Sequence, residues 1–199
     1  DFFKRLFDIV CSVAGIVLLM LPILIVALII VIDSPGASPI YIQERVGKNG
    51  RKFKFYKFRS MVPDADKMLD SLLEKNEMEG PAFKMKDDPR ITPIGKFLRA
   101  CRLDELPQII NILKGDMSII GPRPLLVSYL PYYTEEEKLR HTVRPGLTGW
   151  AQVNGYRGDT SIRRRIECDL YYIENWSMVL DIKIIFMTFF KGFVNENAY

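Results

Sequence analysis

From Leu6 to Ile32 the chain is almost wholly apolar, broken only by Asp8, Ser12 and Pro22. A run of that length is a candidate membrane helix. It does not read as a cleaved leader, because it is too long and no small-residue cleavage site follows it. Pro22 sits near the middle, where proline removes a helix hydrogen bond and bends or breaks the helix. Basic residues flank both sides: Lys4 and Arg5 before, and Arg45, Lys48, Arg51, Lys52, Lys54, Lys57 and Arg59 after. Positive flanks favour the cytoplasmic side. A simple span would leave one of them outside, whereas a hairpin broken at Pro22 keeps both inside. At about 1.5 Å rise per residue, neither arm alone would cross a hydrocarbon core of about 30 Å. Residues 1–32 therefore predict a re-entrant membrane helix that dips into one leaflet. A kinked single span is the competing reading, since proline is tolerated in membrane helices.

Beyond residue 32 the pattern is that of a water-soluble domain, 33–199, on the cytoplasmic face. The Asp33–Pro39 segment is a turn-rich exit. Asn49-Gly50 then signals a β-hairpin, and its second strand alternates Phe53, Phe55 and Phe58 with Lys52, Lys54, Lys57 and Arg59. That face suits lipid headgroups or a diphosphate, although lysines also guard ordinary edge strands. Asp64 reads as the N-cap of a helix carrying Met68, Leu69, Leu72 and Leu73 at helical spacing. Further helices are expected around Ile94–Arg99, from Ile109 to a terminating Gly115, from Glu135 to His141, and over Arg163–Tyr172. The segment Ser177–Phe193 reads as an amphipathic helix lying in a membrane interface, or as a core helix. The fold class is thus α+β and mainly helical, with one small β-hairpin and interfacial helices.

Composition narrows the partners. The 199 residues carry a net charge of +4, mild for a nucleic-acid binder but suited to anionic lipid or phosphorylated substrates. Single-stranded nucleic-acid binding through the Phe/Lys strand is disfavoured by the apolar N-terminus. Cys11, Cys101 and Cys168 have neither zinc-site nor disulfide-framework spacing, which points to a reducing compartment. The single His141 cannot build a multi-histidine metal site. The chain begins at Asp1, as expected of a piece cut from a longer protein.

Candidate chemistry gathers at Arg99-Ala100-Cys101-Arg102-Leu103-Asp104-Glu105-Leu106-Pro107-Gln108. Adjacent side chains on a helix point in different directions. Asp104 and Glu105 are therefore expected to do separate jobs, one facing a reacting centre and the other a cation or basic partner. Further on, the two prolines of Gly121-Pro122-Arg123-Pro124 hold Arg123 in a defined direction, as a phosphate clamp would require. The glycine-punctuated stretch Arg144–Asp159 includes Arg157 and reads as a functional loop, though neither a P-loop nor a dinucleotide fingerprint. Asp169 is a candidate second cation ligand, and the Arg163–Arg165 run reads as solvated or lipid-facing.

Six motifs occur together and in order: Lys4-Arg5-Leu6-Phe7-Asp8-Ile9, Phe55-Tyr56-Lys57-Phe58-Arg59-Ser60-Met61, Arg102–Gln108, Lys114-Gly115-Asp116-Met117-Ser118, Gly121–Pro124 and Arg144-Pro145-Gly146-Leu147-Thr148-Gly149. Together they resemble the bacterial monotopic phosphoglycosyl transferases, the polyprenyl-phosphate sugar-phosphate transferases, over nearly the whole chain. The resemblance implies transfer of a sugar-1-phosphate, a hexose phosphate, from a UDP-sugar to undecaprenyl phosphate, with release of UMP. It also implies Mg²⁺, with Asp104 as the nucleophile of a covalent aspartyl intermediate and Glu105 as a metal ligand; Asp104 and, from its own position, Asp169 complete the expected ligand set. Lys57, Arg59, Arg99, Arg102, Arg123, Arg144 and Arg157 are the expected phosphate-binding residues. The tail, with Asn154-Gly155-Tyr156-Arg157-Gly158, is similar to larger members that build exopolysaccharide, capsule or O-antigen at the bacterial inner membrane. A homo-oligomer is compatible with this reading. The alternative is a non-catalytic membrane-surface scaffold that binds anionic lipid through the basic hairpin.

Overall fold

The computed structural model describes residues 2–76, 83, 85, 87–156 and 160–192. In chain order the elements are α1 (Phe2–Asp33), β1 (Ile40–Val46), β2 (Lys52–Phe58), α2 (Leu69–Leu72), α3 (Pro93–Ala100), α4 (Gln108–Lys114), β3 (Ser118–Ile120), α5 (Glu135–Lys138), β4 (Gly146–Thr148), α6 (Trp150–Val153), α7 (Ile162–Glu174) and α8 (Met178–Gly192). The α+β class follows, dominated by helix. The chain divides into two compact units: residues 1–14, 43–55 and 108–199 form the first, and residues 15–42 and 56–107 the second.

The helix α1 corrects one expectation. It runs through Pro22 without interruption, so the break expected there is absent. Proline removes one backbone hydrogen bond and leaves those of the neighbouring turns intact. In an apolar setting no water is at hand for the groups that a full break would free. The helix is long and apolar enough to cross a membrane by length and composition. Most of its apolar side chains are exposed, Leu18 at 76% and Ile32 at 72%, while Asp8, Ser12, Val26 and Ile30 are buried.

The hairpin β1–β2 turns at Asn49 (φ 57°, ψ 31°) and Gly50 (φ 73°). Both are left-handed, the conformation that an Asn-Gly connection favours. Phe55 and Phe58 are three residues apart and serve different cores. In the first unit Phe55 packs with Ile112 and Met117. In the second, Phe58 packs with Val26, Ile30 and Leu98. Lys52 and Lys54 stay exposed.

The first unit is built on β3 and β4, a short parallel pair in the register Ser118–Gly146 and Ile120–Thr148. Behind it Ile120, Val153, Tyr172 and Ile184 form a buried cluster. Ser161 caps α7, and a capping box between Thr134 and Glu137 opens α5, whose helical path continues as a 3₁₀ turn to Thr142. The helix α8 is two-faced. Asp181 and Ile184 are buried, whereas Val179, Ile182, Phe186, Phe189 and Phe190 are exposed.

In the second unit Asp64 is not an N-cap. It takes a left-handed φ of 61° in a turn, a conformation aspartate tolerates, and helix begins only at Leu69.

Candidate active site

The second unit holds the Asp104–Glu105 pair, and it is built around Ser60. Thr92 caps α3, its Oγ1 accepting from the Gly95 N–H at 2.9 Å, and Pro93 occupies the first turn. Gly95 has no side chain because there is no room for one: a Cβ would lie 2.0 Å from the Ser60 carbonyl oxygen. The Thr92 N–H donates to that same carbonyl at 3.2 Å, and Arg99 Nε donates to Ser60 Oγ at 2.9 Å. The Phe55–Met61 motif and α3 are thus sutured at the serine, with Arg99 on the seam.

The loop before α3 is held by an ion pair that drew no attention in the sequence. Arg90 Nη2 reaches Asp88 Oδ2 at 2.7 Å, and its Nε reaches Asp88 Oδ1 at 2.9 Å. The guanidinium stacks 4.7 Å from the Phe83 ring centre. The Arg90 hydrogen bonds hold the Asp88 carboxyl below its ordinary value against its burial, and Arg99 adds to the effect. The Asp-x-Arg spacing in a proline-bounded loop was the available signal.

After α3 the chain reverses at Arg102, a non-glycine residue at φ 57°, ψ 20°. A left-handed residue with a side chain costs about 1–2 kcal/mol. Such strain recurs where a structure must aim a group. Here it launches one 3₁₀ turn, Leu103–Glu105. Leu103 and Leu106 pack against the Phe58–Leu98 cluster. With the leucines fixed inward, the two carboxylates part company. Asp104 is 8% exposed, and Glu105 is only half-buried. Lys57, Arg59, Arg99 and Arg102 are all in this unit and half-buried. Arg59 spends part of its guanidinium on the Ser38 carbonyl, at 2.7 Å from Nε.

The first unit holds the other motifs, and most of their residues keep backbones close together. The Gly121 N–H donates to Thr148 O at 2.9 Å, and the Gly146 N–H donates to Pro122 O at 2.9 Å. A Cβ on Gly146 would fall 2.1 Å from Gly121 N, and one on Gly149 would fall 2.2 Å from Gly121 O. The glycines of the Gly-Pro-Arg-Pro and Arg-Pro-Gly motifs are therefore one packing knot. Arg144 Nε donates to Gly115 O at 3.0 Å.

The Lys-Arg motif at the start of α1 meets the Lys-Gly-Asp-Met-Ser motif. Arg5 donates to the Ile112 and Leu113 carbonyls at 2.6 and 2.8 Å, capping the last turn of α4. Asp8 is 1% exposed and accepts from Ser118 Oγ at 3.0 Å and from the Ile119 N–H at 2.9 Å. Lys4 pairs with Asp181 at 2.5 Å, and the Tyr172 hydroxyl also donates to Asp181, at 2.7 Å. A lone aspartate in an apolar run was the sequence sign of this seam.

Asp169, a candidate cation ligand, is committed elsewhere. It is 2% exposed, and its Oδ2 is gripped by Arg140 through Nη2 at 2.5 Å and Nε at 3.1 Å. Burial pushes the Asp169 carboxyl above its ordinary value, and Arg140 opposes that rise. A carboxylate enclosed with its own arginine is a structural counter-ion, not an open metal ligand. Arg140 also donates to the Arg123 carbonyl at 2.9 Å, fixing the backbone of the Pro-Arg-Pro segment. Its neighbour His141 is buried, and burial with the adjacent Arg140 depresses its pKa to about 4. In the arginine run, Arg163 and Arg164 are exposed beside Glu167, but Arg165 is half-buried and donates to the Thr160 carbonyl at 2.5 Å.

The sequence candidates thus divide by unit. Lys57, Arg59, Arg99, Arg102, Asp104 and Glu105 belong to the second, and Arg123, Arg144 and Asp169 to the first. Arg157 lies outside the described residues. Among the described residues no group of three or more His, Cys, Asp or Glu could hold a metal ion.

The chain belongs to the bacterial sugar transferase family, which it matches over residues 1–195. It is 46% identical to the UDP-glucose:undecaprenyl-phosphate glucose-1-phosphate transferase of Escherichia coli (strain K12), covering 98% of this chain and 41% of that protein. It is 41% identical to the undecaprenyl-phosphate galactose phosphotransferase of Salmonella typhimurium, covering 100% of this chain and 42% of that protein. The exopolysaccharide production protein ExoY of Sinorhizobium fredii is 39% identical over 98% of this chain and 88% of its own length. The chain spans about two fifths of the length of several of the curated relatives it matches.

Proposed function

We propose that this chain carries out phosphoglycosyl transfer, moving a hexose-1-phosphate from a UDP-sugar to undecaprenyl phosphate and releasing UMP. The observation that carries the proposal is the strained turn after Arg102, which encloses Asp104 and leaves Glu105 half-exposed in the unit that also holds Lys57, Arg59, Arg99 and Arg102. An Asp104 carboxylate oxygen attacks the phosphorus that bears the sugar. The bond to the UMP oxygen breaks, and UMP leaves with the electron pair. A phosphate oxygen of undecaprenyl phosphate then attacks the same phosphorus and releases Asp104. Like charges oppose the first step, and the arginines offset that repulsion. Arg123, Arg144 and Arg157 complete the proposed phosphate-binding set.

Mg²⁺ suits such a site, since it binds through one or two carboxylates plus substrate phosphates. Glu105 would hold it, with Asp104 beside it, and Mg²⁺ would supply charge neutralisation at the diphosphate. Asp169 drops out of the proposed ligand set because Arg140 claims it.

The lipid substrate explains the exposed apolar surfaces. We assign the exposed apolar surface of α1 to the inner membrane, and the Val179–Phe190 face of α8 to its surface. The test is UMP release across a panel of UDP-sugars with undecaprenyl phosphate and Mg²⁺ present. Asp104→Asn abolishes it without loss of membrane binding, and chelation with EDTA removes it. Retained turnover in Asp104→Asn contradicts the nucleophile assignment.

A further inference from the structure

We propose that Arg165 is a further phosphate-binding residue, forming with Arg123 a two-guanidinium anion site in the first unit that the buried Arg140–Asp169 pair holds in place. The inference rests on the phosphoglycosyl-transfer reading, in which Arg123 binds phosphate and both substrates carry that group. The Arg163–Arg165 run splits in the structure. Arg163 and Arg164 are exposed and share the Glu167 carboxylate, at 3.9 and 3.1 Å. Arg165 turns inward instead. It is half-buried, with Nη2 donating to the Thr160 carbonyl at 2.5 Å and Nε to the Thr160 hydroxyl at 3.3 Å. Arg165 and Asp169 are four residues apart on α7 and so share a face of the helix. The Arg140 Nη2 that meets Asp169 at 2.5 Å also meets the Arg123 carbonyl at 2.9 Å. One chain of contacts therefore runs from α7 to the Pro122-Arg123-Pro124 segment, with an arginine at each end.

An arginine ordinarily lays its stem along the protein and keeps its head in water. At Arg165 burial pushes the pKa down, and the charges of Arg123 and Arg140 push the same way, against Tyr129 and Asp169. Asp169 is 2% exposed and already gripped by Arg140 through two nitrogens. Like charges gathered at a half-buried place destabilise the free protein, and a bound anion relieves them. A phosphate supplies both the charge and the paired oxygens that a planar guanidinium meets two at a time. A lipid-facing role asks for exposure, which Arg163 and Arg164 have and Arg165 lacks.

The experiment uses the 199-residue chain in detergent, as wild type, Arg165→Gln, Arg165→Lys and Arg164→Gln. Melting temperature is measured in sodium phosphate against sodium chloride of equal ionic strength. KM for UDP-glucose and for undecaprenyl phosphate is measured from UMP release. The wild type is expected to melt higher in phosphate. Arg165→Gln is expected to lose much of that rise and to raise at least one KM by about tenfold, as the loss of a charge-assisted hydrogen bond should. Arg165→Lys keeps the charge without the fork and falls between, and Arg164→Gln matches the wild type. A KM rise confined to UDP-glucose assigns the site to the nucleotide diphosphate, and one confined to undecaprenyl phosphate assigns it to the lipid phosphate. If Arg165→Gln does not fold, Arg165→Lys decides by the same readouts. A variant that melts lower in chloride but keeps the full phosphate rise and both KM values has lost only its grip on Thr160, which overturns the proposal. A wild-type chain that releases no UMP from any UDP-sugar, yet is stabilised by phosphate through Arg165, brings down the transfer reading and leaves the anion site standing.

Discussion

The two units use their motif residues differently. In the second, the Tyr56–Met61 segment and α3 are joined where Arg99 meets Ser60, and Leu103 and Leu106 anchor the strained turn after Arg102, which buries Asp104 while Glu105, Lys57, Arg59, Arg99 and Arg102 stay half-buried. In the first, three motifs are largely consumed by structure. Gly121, Gly146 and Gly149 let backbones touch, Arg5 and Asp8 join α1 to α4 and β3, and Asp169 neutralises Arg140. Motifs that look equally specific in a sequence can therefore mark chemistry in one region and close packing in another.

The contrast is sharpest at Asp169. If it is a counter-ion, Asp169→Asn leaves Arg140 buried and unpaired and destabilises the fold by about 3–5 kcal/mol. Denaturant unfolding measures this. A variant that keeps its stability and loses only cation-dependent activity would restore Asp169 to the metal site. Next is the glycine knot. Gly146→Ala forces a methyl to within 2.1 Å of Gly121 N and should cost about 3 kcal/mol, against little change for alanine at an open position. A stable Gly146→Ala chain with altered kinetics would make that loop functional after all.

His141 extends the comparison to pH. Its folded pKa of about 4 lies below the ordinary 6.5, so the unfolded chain binds its proton first as pH falls. The stability that the neutral form contributes is complete above about pH 6.5 and drains away between about pH 6.5 and 4, to a loss of about 2–3 kcal/mol. Replacing His141 by Phe should flatten that part of the stability–pH curve. An unchanged curve places the proton elsewhere. The smallest effect concerns Arg5. Arg5→Lys keeps the charge and loses the two-pronged grip on Ile112 and Leu113, at about 1 kcal/mol. If Arg5 served only as a positive flank for membrane topology, lysine would be silent in the same unfolding measurement.

Much of the fold was legible because it rests on local chemistry. Asn49-Gly50 made its turn, Gly115 ended α4 at φ 91°, and α7 and α8 fell where their patterns put them. Local rules failed where competing preferences met. Pro22 did not break α1, because one lost bond is outweighed by the intact turns around it. Asp64 had the right chemistry for a cap but adopted a turn instead. At the site, Asp104 is buried and its neighbour Glu105 half-buried. The Arg140–Asp169 and Arg90–Asp88 pairs were not legible, since no periodicity ties residue 140 to 169 and the short loop pair reads as solvated charge.

The most direct test of Asp104 as nucleophile is to incubate the chain with a UDP-sugar and Mg²⁺ in the absence of undecaprenyl phosphate and analyse it by mass spectrometry. The account predicts one hexose phosphate attached to the peptide containing Asp104, an equal amount of UMP released, and discharge of the adduct when undecaprenyl phosphate is added. An adduct on another residue, or full turnover in Asp104→Asn, would contradict it.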